Sequence, residues 1–88
     1  MQKTVTLLGS TGSIGTQSLD VIRAQGYAVY GLAAHTRIEK LMEQIREFAP
    51  QVVVVTDPAC ADRMESLLAG LSRPPRLLRG SEGLLELA

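Results

Sequence analysis

Eighty-eight residues leave room for one small domain and no second. Nine basic side chains cancel nine acidic ones, which removes any overall-charge route to nucleic acid or an anionic membrane. No apolar run approaches the ~20 residues that cross a bilayer, and the apolar stretch Val5–Leu8 is too short for a signal peptide. The single cysteine, Cys60, excludes an internal disulfide and any Cys-pair metal site. It fits a reducing cytoplasm, or a plastid-like compartment after loss of a transit peptide.

In chain order, Thr4–Leu8 is a short apolar run of the kind found in a buried parallel strand, beginning almost at Met1. Glycines then interrupt it, and from Ile14 the period becomes helical, with Ile14, Leu19, Val21 and Ile22 in step as far as Gln25-Gly26. Ala28–Ala34 is a second strand. Thr36 and Glu39 match a capping box, with Thr36 as N-cap. The helix it opens carries Ile38, Leu41, Met42, Ile45 and Phe48 on one stripe and stops before Pro50. Gln51–Thr56, with four consecutive valines, reads as a strand covered on both faces. Asp57-Pro58 suits an N-cap followed by proline at the first helical position, opening a helix with Met64, Leu67 and Leu68 that runs to about Ala69. Residues 70–75 form a loop, Arg76–Arg79 a short fourth strand, and Ser81 is placed to cap a last helix that reaches Ala88. That leucine-rich ending reads as a truncation.

Alternation of this kind predicts an α/β fold of Rossmann type, a parallel sheet with right-handed crossovers and helices on both faces, here as a partial domain over residues 1–88. Cys60 is expected to pack within the third helix. Met42 and Met64 read as core fillers, and Arg73, Arg76 and Arg79 as decoration of a loop and an edge strand.

The chemistry lies in Gly9-Ser10-Thr11-Gly12-Ser13-Ile14-Gly15, a G-x-x-G-x-x-G loop between a strand and a helix. Gly9 is expected to turn the chain, Gly12 to let a pyrophosphate approach the backbone, and Gly15 to let helix and sheet pack closely. Amides at the helix N-terminus, with the hydroxyls of Thr11 and Ser13, would face the anion. The same hydroxyls also read as helix caps. A site for NAD commonly has Asp or Glu about 20 residues further on. Here that position holds His35, then Thr36 and Arg37, with no acid. Arg37 can make charge-assisted bonds to a 2′-phosphate, so the expected cofactor is NADPH. Arg37 also reads as a solvated first-turn residue, Thr36 as cap or ligand, and His35 as either a stacking or phosphate contact or a simple strand ending.

With these residues in place, the sequence resembles the N-terminus of the 1-deoxy-D-xylulose-5-phosphate reductoisomerase family over essentially its whole length. The most specific stretch is Leu8–Ile22, similar to the family's L-G-S-T-G-S-I-G-x-x-x-L-D-V, and Glu47-Phe48-Ala49-Pro50 is similar to its E-F-x-P. The resemblance implies an NADPH-dependent enzyme of non-mevalonate isoprenoid biosynthesis. Such an enzyme turns a sugar phosphate, 1-deoxy-D-xylulose 5-phosphate, into 2-C-methyl-D-erythritol 4-phosphate with a divalent metal ion, Mg or Mn, and works as a homodimer. It also implies cofactor contacts at Thr11, Gly12, Ser13 and Ile14, and at His35, Thr36 and Arg37, a triplet that departs from the family's usual Gly-Arg/Lys-Asn. The metal-binding acids, substrate-phosphate site and catalytic residues would lie beyond this chain, so it is expected to be inactive alone. The rival readings are the cofactor domain of another NADP-dependent oxidoreductase, such as a semialdehyde dehydrogenase, and a non-catalytic nucleotide-binding module.

Overall fold

The computed structural model describes residues 4–9 and 11–87, apart from the side chain of Ser13. Four strands alternate with four helices: β1 (Thr4–Leu7), α1 (Ser13–Gln25), β2 (Ala28–Ala34), α2 (Ile38–Phe48), β3 (Val52–Val55), α3 (Pro58–Leu68), β4 (Arg76–Arg79) and α4 (Gly80–Leu87). The strands are all parallel in the order β1-β2-β3-β4. Each strand is therefore added on the same side of the last, and right-handed crossovers in one direction send their helices to one face.

That face holds the main core. Leu19 and Ile22 of α1, Leu41, Met42 and Ile45 of α2, and Ala61, Met64 and Leu68 of α3 pack with Leu32, Ala34, Val53 and Val55 of the sheet. The opposite face is covered by α4. Gly83 sits so close that a Cβ there would lie 2.9 Å from Leu78 Cβ and 3.1 Å from Val54 Cγ1, and Leu87 lies over Gly31. Helices thus cover both faces, and β3 in the middle is buried throughout.

Local chemistry explains most boundaries. The Asp57 carboxylate accepts a 3.0 Å bond from the Cys60 amide, with Pro58 at the first helical position of α3. The left-handed residues Gly26 and Ala49 end α1 and α2. Cys60 is half-buried against the core, and Met42 and Met64 lie within it.

Several expectations are corrected. Thr36 does not cap α2: the N-cap is Arg37, without a side-chain cap bond, which moves Glu39 to the second helical position, one short of a capping box. Glu39 instead faces Arg63 at 3.6 Å. α4 begins at Gly80, so Ser81 lies within its first turn rather than at its cap. Leu8 belongs to the turn made by Gly9, whose φ of 77° ends the strand one residue early. Finally, Ile14, Val21 and Leu67 keep helical spacing yet stand exposed, Ile14 at 80%.

Candidate functional site

Parallel strands end together, so the loops after β1, β2 and β3 gather along one edge of the sheet. Leu7 pairs with Leu32, and Ala34 with Val55. Adjacency of β1 and β2 therefore brings the glycine loop and the His35-Thr36-Arg37 segment to neighbouring positions on that edge.

The glycine loop is a tight entry into α1. The Gly12 amide donates to Gly9 O at 3.3 Å, and Gly12 O accepts from both the amide (2.8 Å) and the hydroxyl (2.9 Å) of Thr16. The amides of Ser13, Ile14 and Gly15 precede the first helical bond, so the helix itself offers them no partner. Gly12 has φ −77°, and an added Cβ would meet only Gly9 O, at 3.7 Å. Among the described residues, the packing around Gly12 therefore leaves room for a side chain. Thr11 is buried, at 6% exposure. Ser10 and the Ser13 side chain lie outside the described residues. A groove of about 480 Å³ runs along the loop, lined by Leu7, Leu8, Gly9, Gly12, Ile14 and Gly15 among others.

His35 and Thr36 are exposed just past β2, and Arg37 is exposed at the start of α2. Among the described residues no carboxylate pairs with Arg37, in contrast to Arg63 and Arg76, each held by one, and Arg23 and Arg79, each held by two. His35 Nδ1 lies 2.6 Å from the hydroxyl of Thr56, a residue that sequence reasoning did not single out. Finding Thr56 required knowing that β2 and β3 end in register. Beside it, the Cys60 amide holds the Asp57 carboxyl below the usual carboxylate range, with the nearby His35 adding to the effect. That carboxylate in turn pushes the Cys60 thiol up. Cys60 is therefore a protonated, packing thiol.

A second hollow of about 540 Å³ lies among Ile45, Arg46, Pro50, Leu71, Arg73 and Pro75. It sits at the end of the sheet where β3 and β4 begin, away from the glycine loop. Arg76 and Arg79 are committed to ion pairs with Glu86, Asp62 and Glu65. Among the described residues no three His, Cys, Asp or Glu side chains gather where a metal could be held, and no helix is long and apolar enough to cross a membrane.

The sequence profile of the 1-deoxy-D-xylulose 5-phosphate reductoisomerase family matches residues 5–88. A reductoisomerase from Gloeobacter violaceus is 47% identical over 83 residues, covering 92% of this chain and 21% of that protein. One from Acaryochloris marina is 42% identical over 88 residues, covering 98% of this chain and 22% of its own length. Among solved structures, the Zymomonas mobilis enzyme in complex with NADPH superposes with a TM-score of 0.88 at 30% identity, over 99% of this chain and 23% of the other. A reductoisomerase in complex with magnesium superposes at 0.91 with 28% identity, over 99% and 22%. The chain thus spans under a quarter of the length of these relatives.

Proposed function

The chain belongs to the 1-deoxy-D-xylulose 5-phosphate reductoisomerase family, and we propose that residues 1–88 are the N-terminal NADPH-binding domain of such an enzyme. Its full-length form would convert 1-deoxy-D-xylulose 5-phosphate to 2-C-methyl-D-erythritol 4-phosphate, with catalytic and C-terminal domains, metal ligands and substrate-phosphate site supplied by the remainder of a longer chain. NADPH, when bound, supplies the hydride for the reduction. The residues described above bind and orient it.

The observation that carries this reading is the pairing of two loops on one sheet edge: a glycine turn opening a helix N-terminus, and an adjacent segment with no acid and an arginine that pairs with no carboxylate among the described residues. The pyrophosphate is placed against Gly12 and the amides of Ser13 and Ile14, where the helix dipole adds roughly 0.3–1 kcal/mol. Gly9 makes the turn, buried Thr11 forms its floor, and exposed Ile14 gives the dinucleotide an apolar contact. Arg37, with His35 and Thr36, takes the 2′-phosphate.

The proposal extends to a cytoplasmic homodimer acting on a small sugar phosphate, without nucleic acid or membrane partners. Balanced charge and a lone cysteine support the location, and the family resemblance supports the dimer. The test is calorimetric titration of this chain with NADPH and NADH. Tighter binding of NADPH, lost by about a hundredfold in Gly12→Asp through repulsion between carboxylate and pyrophosphate, is the expected result. Equal affinity for both cofactors removes the 2′-phosphate assignment, and no binding of either by folded protein removes the reading for this chain.

A further inference from the structure

His35 is the chain's sole histidine, and one of its ring nitrogens already has a partner. Nδ1 lies 2.6 Å from Thr56 Oγ1, across the ends of two neighbouring strands. The backbone ties these ends together without help from side chains, since the Thr56 amide donates to Ala34 O at 3.0 Å and the Asp57 amide to His35 O at 3.4 Å. The hydroxyl of Thr56 is therefore not needed to hold the two loops in place. What it does fix is the orientation of the imidazole.

The two nitrogens of an imidazole face different edges of the ring, so engaging Nδ1 leaves Nε2 as the group directed elsewhere. Three arrangements satisfy the contact. Thr56 can donate to Nδ1, leaving a proton on Nε2. The imidazolium can donate from Nδ1 to Oγ1 and keep a second N–H at Nε2. Only the third arrangement, with a neutral ring protonated on Nδ1, leaves Nε2 bare. An anion beside the ring selects the first two. Of the charged groups nearby, the Asp57 carboxylate lies on the β3–α3 side, Arg37 follows on the same loop, and Glu39 and Arg63 pair between α2 and α3.

We infer that Thr56 is a positioning residue of the cofactor site: its hydroxyl holds His35 so that Nε2–H is presented to the 2′-phosphate of NADPH beside Arg37. The inference rests on the NADPH reading above and adds a residue to it from a third strand.

The test uses Thr56→Val, which keeps the shape and removes the hydroxyl, and Thr56→Ser, which restores the hydroxyl. Each variant of this chain is titrated with NADPH and NADH, and the ¹⁵N resonances of the single histidine are followed with and without NADPH. Thr56→Val is expected to bind NADPH about fivefold to tenfold more weakly, with NADH unaltered and Thr56→Ser like the parent. NADPH should drive Nε2 to its protonated resonance in the parent and in Thr56→Ser but not in Thr56→Val. An undiminished preference for NADPH in Thr56→Val, or equal weakening towards both cofactors, overturns the inference while leaving the NADPH reading intact. A parent chain that binds neither nucleotide overturns both.

Discussion

The two sides of this sheet are built to different standards of burial. At β3, four valines are enclosed between α3 on one face and α4 on the other. At β1, exposed and half-buried residues alternate, and α1 beside it shows Ile14 and Val21 to solvent while burying Leu19 and Ile22. A single helix thus carries apolar residues of two kinds: those that hold the fold, and those left exposed, of which Ile14 lies beside the glycine loop. Apolar character therefore identifies the helix in both cases, but only burial separates packing from surface available to a ligand.

The contrast can be tested by substitution, beginning where the effect should be greatest. Leu32→Ala, in the fully buried part of β2, should cost about 2–5 kcal/mol, enough to unfold much of so small a domain. Chemical denaturation followed by circular dichroism measures it. Gly83→Ala should cost about 1–3 kcal/mol by forcing α4 away from Leu78 and Val54, with cofactor affinity per folded molecule unchanged.

On the other side of the comparison the effects move from stability to binding. Arg37→Ala should weaken NADPH by about tenfold and leave both NADH affinity and melting temperature as they were. Any loss of stability would show Arg37 to be structural after all. Smaller still is the effect expected at Asp57, whose carboxyl is depressed by the Cys60 amide. A depressed folded-state pKa stabilises the protein above the unfolded carboxylate pKa of about 3.9, and this is lost as pH falls through the folded value. Asp57→Ala should therefore melt a few degrees lower than the parent at pH 6, with the gap closing below about pH 4. Least of all, Ile14→Ser should shift stability by no more than about 0.5 kcal/mol, yet weaken NADPH and NADH alike. A large stability loss there would erase the distinction between the two kinds of apolar residue.

Much of this was legible in the sequence. The eight elements appear in the order that alternating periods indicate, and Asp57-Pro58 marks the start of α3 because proline and an acceptor at those positions act locally. The glycine loop was legible for the same reason: its turn and the helix it opens depend on neighbours within a few residues. The capping box at Thr36 failed on a one-residue question. Where α2 begins is settled by how its apolar stripe lies on the sheet, and that placed Arg37 at the N-cap.

The sequence by itself determined the local units, the glycine turn and the absence of an acid after β2, since each depends on residue type and short-range spacing. Tertiary structure decided strand order, which apolar residues of α1 are buried, and the meeting of His35 with Thr56. Those depend on the register between strands more than 20 residues apart, and register follows from packing of the whole sheet rather than from any one segment.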